Sequence, residues 1–352
     1  MKPLFRCEIH YFPSPHLSQI YDGFEKLRGL GLLKISIKPT PGNKTIPLLT
    51  VIINDKHKII YDTLDGLNWI SGSIEENLIH FKKSVVADFY FKRSYQKQLV
   101  EYSPNNCFVY PLGFNYNVKS ADRFSFNLKE RLMGLIKASP IISKHFNLRS
   151  SSRPSGDFEF YPLPNKRSEI LFLAKIWGPN VKYSESFNIE IEKINNFRIN
   201  CIKVCKKEFG ELFLGGLQRD RYSLAVAKDL VVPLHITEKK TFINTIKDHN
   251  ICIATTGLHD SIGWKVGEYV AASRAIVSEP LKYEVPGDFE MGKNYLAFNN
   301  EDELLEKISI LLNDREKLFE LMNNNFHYYN NYLRPEILVL NTLLKVYQHI
   351  LE

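Results

Sequence analysis

Residues 251–280 read ICIATTGLHDSIGWKVGEYVAASRAIVSEP. The runs ICIATTG (251–257) and RAIVSEP (274–280) each have the length of a buried strand, and the residues between them carry a helical pattern. Strand, loop, helix and strand in this order make one repeat of an open parallel sheet. Ligands of such sheets bind beyond the carboxyl ends of the strands, which is where Gly257 to Gly263 fall. The first amides of a helix opening near Gly263 lack intrahelical partners and form an anion site. Gly257 and Gly263 let backbone approach a ligand closely. Lys265 and Glu268 are three residues apart and share a helix face. Asp260 and Glu268 are therefore placed to touch two parts of one elongated ligand, a carboxylate taking ribose hydroxyls while the helix start and Lys265 take phosphates. The same residues suit an ordinary connection equally well, with Asp260 and Ser261 as helix caps and Lys265–Glu268 as a solvated pair.

The chain around this stretch has 352 residues, which favours two domains. Its composition, 44% hydrophobic and 24% charged, excludes a disordered chain. The net charge of +7 is spread along the sequence and implies mild attraction to anionic ligands or membrane surfaces; no nucleic-acid partner is expected. Five cysteines, Cys7, Cys107, Cys201, Cys205 and Cys252, form no zinc set, so no metal centre is expected. No apolar run reaches the roughly 20 residues of a membrane span, and the N-terminus lacks a signal-peptide core. The expected location is the cytoplasm.

Strands are expected at 5–12, 33–40, 48–55, 57–63, 87–94 and 106–113, with helices at 18–30 and 68–84. This alternation predicts a parallel sheet covered on both faces. A helix is expected around 127–138, followed by a polar, proline-rich connection. A second alternating block has strands at 169–177, 211–217, 251–257 and 274–280, helices at 186–209 and 239–249, and LVVPLH (230–235) as a short strand. The tail is helical, with Leu304, Leu305, Ile308, Leu311 and Leu312 on one face. The expected division is 1–115, a connection over 116–166, 167–330, and a C-terminal helix over 331–352 packing back on the first domain.

GLHDSIGWKVGEYVAASRAIV resembles the signature of the retaining GT-B glycosyltransferases, the group 1 or family 4-like enzymes, in which an acid, seven residues and a Glu span the donor loop and helix. The resemblance continues through PGDFEMGKNYLAFNNEDELLEKISILLND, and VYPLGF (109–114) and ADFYFKRS (87–94) are similar to the end of the family's N-terminal domain. It implies an α/β fold of two Rossmann-like domains facing each other across a cleft, with a C-terminal helical tail. It also implies that Glu268 binds the donor ribose, that Asp260 contacts the donor sugar, and that the amides of Ser261, Ile262 and Gly263 hold the phosphates. No metal or other cofactor is implied, because helix dipole and basic side chains neutralise the leaving group. The sequence departs from the pattern in three places: Asp260 stands for a Glu, Trp264-Lys265 for an apolar pair, and the N-terminal domain is short. The Asp keeps open a direct carboxylate role, including inversion or a covalent intermediate.

Lys175, at a strand end, is a further candidate for the donor phosphates, as are Arg219 and Arg221, of which one is expected to face inward. His259 adjoins Asp260 and is suited to bond the transferred sugar. In the first domain Asp62 and Asp65 stand where an apolar strand breaks, a position fit for activating a hydroxyl, and His10 and His16 flank the first strand–helix loop. The function expected is transfer of a sugar from a nucleotide-sugar donor to a hydroxyl of a growing surface glycan such as O-antigen or capsule. The partners are then a nucleotide sugar and a glycan or lipid-linked glycan, with peripheral membrane contact. Three alternatives share the scaffold: a transferase for a CMP-activated acidic sugar, a nucleotide-sugar epimerase or hydrolase, and a non-catalytic subunit of a glycan-assembly complex.

Overall fold

The computed structural model describes residues 3–43, 45–120, 152–167, 169–181 and 183–351; the helix expected around 127–138 lies outside them. Two units are formed, Met1–Asp157 with Tyr283–Pro286 and Asn330–Glu352, and Phe158–Lys282 with Gly287–Tyr329. In the first, β1 (Phe5–Tyr11), α1 (Ser18–Gly29), β2 (Leu33–Pro39), β3 (Leu48–Ile53), β4 (His57–Asp62), α2 (Ile74–Ser84), β5 (Phe89–Lys92) and β6 (Phe108–Pro111) follow one another. The sheet order is β2-β1-β3-β4-β5-β6.

This first sheet is mixed, where alternation predicts a parallel one: β3 runs antiparallel to both β1 and β4. Parallel neighbours need a crossover of a dozen residues or more. The chain instead enters β3 without a helix and leaves it by a tight turn, closed by Lys56 N–H donating to Ile53 O at 3.0 Å. Asn54 and Asp55 in that turn both take left-handed φ, 52° and 60°, the geometry that matches the twist of paired strands. Helix α2 starts at Ile74, later than expected, because Ser73 and Glu76 form a reciprocal capping box there.

The second unit runs β7 (Ile170–Ala174), α3 (Glu185–Phe209), β8 (Phe213–Leu217), α4 (Arg221–Val226), α5 (Lys239–Asp248), β9 (Ile251–Ala254), α6 (Trp264–Ala271), β10 (Ala275–Ser278), β11 (Tyr295–Ala297), α7 (Glu301–Asn313) and α8 (Arg315–Tyr328). All its strand pairs are parallel, in the order β11-β10-β9-β7-β8. Every residue of β7, β9 and β10 is buried, as continuous apolar runs in a doubly covered sheet require. The chain order reverses between β7 and β9, which puts the topological switch point at their carboxyl ends. LVVPLH is not a strand: Val231 makes one isolated bridge to Leu217, and Leu234–Thr237 is a helical turn. The helical tail breaks at Asp314, whose side chain accepts from Lys317 N–H at 2.8 Å and caps α8.

The chain then returns to the first unit as α9 (Pro335–Leu351), which lies against α1. Gln19 Nε2 donates to Leu333 O at 2.8 Å, and the Tyr61 and Thr342 hydroxyls are 2.7 Å apart. The chain thus has the expected fold class, α/β with two Rossmann-like units and C-terminal helices, the parts of a GT-B architecture. Gly23 makes the α1–α9 approach possible, since a Cβ there would lie 2.1 Å from Pro335 O. Gly23→Ala is therefore expected to lower stability by about 1–3 kcal/mol through overpacking, measured as a lower midpoint in urea unfolding. An unchanged midpoint would show that the α1–α9 contact gives way freely.

Candidate functional site

Helix α3 organises the switch point. Its buried stripe includes Ile191, Asn195, Arg198, Ile199, Ile202 and Cys205, a helical period in which two members are polar. Arg198 is 7% exposed. Its Nη1 donates to Lys175 O at 2.6 Å, its Nη2 to Thr256 O at 2.8 Å and its Nε to Thr255 Oγ1 at 2.9 Å. One side chain thus ties the end of β7 to the end of β9. Burial lowers its pKa to about 10, opposed by Glu279, so the guanidinium stays charged at neutral pH. Asn195 exchanges two hydrogen bonds with the Trp177 backbone (2.7 and 3.0 Å), and Asn188 two with the Asn180 backbone (3.0 and 3.2 Å). The 175–180 loop is therefore held at three points by one helix.

The 257–263 loop is closed on itself. Gly257 N–H donates to Ser261 O at 2.8 Å, and Ser261 N–H donates to Leu258 O at 3.1 Å. The Ser261 amide is thus already used and is not available to a phosphate, a correction to the expected Ser261–Ile262–Gly263 set. Gly257 serves the loop's own closure, since a Cβ there would meet Ser261 Oγ at 2.7 Å. Gly263 is the N-cap of α6, has open space at its Cβ position, and receives no side-chain cap. The Gly263 and Lys265 amides have no partner among the described residues. Asp260 and Ser261 therefore do not cap the helix. Ile262 is buried.

His259 and Asp260 both have left-handed φ, 57° and 55°, a conformation costly for residues with a side chain. Helix α3 supports them: Glu190 accepts from His259 N–H, and the His259 ring stacks on Phe187 at 4.8 Å. Asp260 is exposed and makes no hydrogen bond or ion pair with the described residues.

Glu268 is 2% exposed and ion-paired with Lys239 at the start of α5, not with Lys265. Lys239 Nζ also lies 5.1 Å from the Phe158 ring centre. The pairing engages Glu268 Oε1 and leaves the second oxygen for another donor. Lys265 is half-buried. Burial, together with the positive charges of Arg198, Lys239 and Lys175, pushes its ammonium down to about 8 against an opposing pull from Glu268. Four cations, Lys265, Arg198, Lys239 and Lys175, thus lie near enough for the last three to repel the Lys265 charge. Lys175 also lines a cavity of about 380 Å³ with Trp177, Tyr222 and Arg221. Of the two arginines, Arg221 lines this cavity and Arg219 does not. Asp220 caps α4 by accepting from Ser223 N–H at 2.8 Å, which fixes the turn between them.

The first-unit candidates are each engaged within their own unit. Asp62 is 0% exposed and saturated: Oδ1 accepts from Leu64 N–H (2.8 Å) and Lys92 Nζ (3.1 Å), and Oδ2 from Trp69 Nε1 (2.7 Å) and the Tyr90 hydroxyl. It is a structural anchor, and the expectation that it activates a hydroxyl is corrected. Asp65 is ion-paired with Arg93. His16 is half-buried, and burial lowers its pKa, with Asp65 opposing and Arg93 reinforcing. His10 Nε2 lies 2.8 Å from Glu8 Oε1 on β1. Among the described residues no group of three His, Cys, Asp or Glu side chains is placed to hold a metal ion. No described helix is long and apolar enough to cross a membrane.

Arg198 and Lys239 escape a reading of the sequence by motif. Arg198 had a signal, a charged residue in an apolar helical stripe; Lys239 had none, lying 29 residues from its partner.

No protein-family model matches the chain, and no curated protein matches it. Among solved structures it is similar to WaaG, a glycosyltransferase involved in lipopolysaccharide biosynthesis, at 9% identity over 94% of this chain and 95% of that one, with a TM-score of 0.39. It is similar to a Listeria monocytogenes protein named as a candidate UDP-N-acetylglucosamine 2-epimerase, at 9% identity over 95% and 93%, TM-score 0.40. It is also similar to the pneumococcal O-GlcNAc transferase GtfA, in complex with UDP and GlcNAc, at 11% identity over 78% of this chain, TM-score 0.38; the chain spans 47% of GtfA's length.

An anion held at the α6 start favours the charged form of Lys265, whose proton leaves the free protein as pH rises through about 8. Sulfate binding, followed as a thermal shift, should therefore weaken by up to about tenfold between pH 7 and pH 9, the ratio of the protonated fractions. Lys265→Met should remove that dependence. A dependence that survives in the variant would place the titrating group elsewhere.

Proposed function

We propose that this chain is a metal-independent glycosyltransferase that takes a nucleotide-activated sugar and passes it, with retention, to a hydroxyl of a growing surface glycan. The observation that carries the proposal is the set of four cations, Arg198, Lys175, Lys239 and Lys265, together with two unpartnered amides at the start of a helix that also bears Glu268. Helix N-terminus and cations suit a phosphate, while a carboxylate one turn further suits the vicinal hydroxyls of a ribose. The acid–seven–Glu spacing of Asp260 and Glu268 supports the same reading.

In this mechanism the glycosyl C1–O bond breaks with its electrons passing to the phosphate. The acceptor oxygen bonds to C1 on the same face, and the acceptor hydroxyl's proton passes to the departing phosphate oxygen. Lys265 and Lys175 take up the growing charge, and Arg198 and Lys239 add to the field that stabilises it. Arg198 acts at a distance, because its guanidinium is spent on the two strand ends. Asp260 contacts the donor sugar from an exposed loop whose backbone α3 holds in place. His259 assists it there. The acceptor is a glycan or a lipid-linked glycan, reached in the cytoplasm at the inner face of the membrane, where the net charge of +7 favours an anionic surface.

A thermal-shift screen with UDP, GDP, CDP, CMP and ADP tests the proposal; stabilisation by none of them would sink it. Glu268→Ala separates a ribose contact from general electrostatics. Removing an acid from a basic cluster raises affinity for a bare anion such as sulfate, whereas losing a direct ribose bond lowers affinity for the nucleotide. The expected result is a nucleotide affinity about 10–100-fold weaker with sulfate binding unchanged or tighter. Nucleotide affinity rising in step with sulfate would remove the ribose assignment.

A further inference from the structure

The cavity at the carboxyl ends of β7 and β8 is a built site of which the phosphate reading uses only Lys175. Its walls are aromatic, with Trp177, Tyr183 and Tyr222, and its cations are Lys175 and Arg221. Trp177 is fixed more tightly than a surface loop residue needs. Asn195 binds both its backbone N–H and its carbonyl, and the Arg198 guanidinium sits 4.6 Å from its ring centre. Gly178 lets Tyr222 lie against the loop, since a Cβ there would meet the ring at 3.1 Å. The result is a rigid aromatic platform beside two cations. Neither Lys175 nor Arg221 has an ion-pair partner among the described residues. Asp220, also in the lining, uses Oδ1 on the Ser223 amide and keeps Oδ2 for a hydroxyl.

A ligand that satisfies this lining needs a ring face, a negative charge and hydroxyl groups. A nucleobase would use the rings and leave the cations unmatched, and a bare phosphate would do the reverse. A neutral sugar would leave Arg221 idle. The phosphates already have the α6 start with Lys265 and Lys175, so a second anion is what Arg221 calls for. A guanidinium binds a carboxylate through two parallel hydrogen bonds. We infer that this cavity binds a sugar ring bearing a carboxylate, stacked on Trp177 with its acid on Arg221. Resting on the phosphate reading of α6, this assigns an acidic sugar as the unit handled beside the nucleotide.

The test follows the indole N–H of Trp177 by NMR in the full chain, assigned with Trp177→Phe, during titration with D-glucuronate, D-glucose and glucose 1-phosphate. Trp69, in the first unit, serves as the internal reference, and Trp264, between the two open amides of α6, reports binding at the phosphate site. Glucuronate is expected to shift the Trp177 signal, glucose to bind at least tenfold more weakly, and Arg221→Gln to weaken glucuronate at least tenfold. Arg221 is exposed, so the variant is expected to fold. Equal responses to glucose and glucuronate would overturn the carboxylate assignment, as would a response to glucose 1-phosphate alone. No response to any of the three, in protein that a nucleotide stabilises, would overturn the inference and leave the nucleotide reading standing. No response in protein that no nucleotide stabilises would remove both.

Discussion

The second unit depends on one buried charge. Arg198 sits where the chain order of the parallel sheet reverses, a point at which two strand ends diverge and leave their carbonyls without ladder partners. A buried cation carries a desolvation cost of several kcal/mol unless it is well bonded. Arg198 meets that condition with two carbonyls, a threonine hydroxyl and the face of Trp177. Those carbonyls are in turn satisfied only because the arginine is there. The crevice beyond the strands is thereby given a fixed shape and a fixed positive charge at once. Burial first, and then that charge, lowers the pKa of Lys265, so the residue that shapes the site also contributes to its electrostatic character.

Helix α3 extends this control to both loops. Asn188, Asn195 and Arg198 reach the 175–180 loop, and Phe187 and Glu190 reach the 257–261 loop. A helix spaces its side chains by 1.5 Å per residue, so it acts as a ruler that neither loop could supply alone. Residues positioned on a rigid element hold a ligand more accurately than residues on a free loop. The backbone of the 175–180 loop is satisfied because Asn195 and Asn188 each present a donor and an acceptor to the C=O and N–H of one residue.

Much of this architecture is legible in the sequence, and the part that is not has a physical cause. Apolar runs and helical periods locate the strands and helices of both units, since burial acts on each residue where it stands. Strand direction is not encoded that way: β3 has the same apolar pattern whether its neighbours run parallel or antiparallel, and only the link lengths around it decide. The glycine–acid–glycine loop before α6 is legible as a strand-end turn. Its hydrogen bonds are not, and they remove the Ser261 amide from the expected set. Which of Arg219 and Arg221 lines the cavity is not legible from charge alone, since the two are separated only by Asp220, the N-cap of α4. Asp62 and Glu268 illustrate the larger limit. Their ion-pair partners, Lys92 and Lys239, lie 30 and 29 residues away on other elements, and an acid's neighbours decide whether it is an anchor or a ligand.

Three carboxylates singled out by the same sequence logic end in three different environments. Asp62 has both oxygens filled by four donors in a dry interior, so it has no capacity left for a reacting group. Glu268 shares one oxygen with Lys239 and keeps the other, which suits recognition of a neutral hydroxyl better than proton transfer. Asp260 alone is solvent-facing without a protein partner, and it stands on two successive left-handed residues, a backbone that costs about 1–3 kcal/mol per residue. Glycine, asparagine and aspartate take such positions in ordinary turns, as Asn54 and Asp55 do between β3 and β4. A histidine and an aspartate persist there because α3 over-determines the loop through Glu190 and Phe187. Of the three acids, Asp260 alone keeps both carboxylate oxygens open among the described residues, and α3 fixes the backbone that aims them.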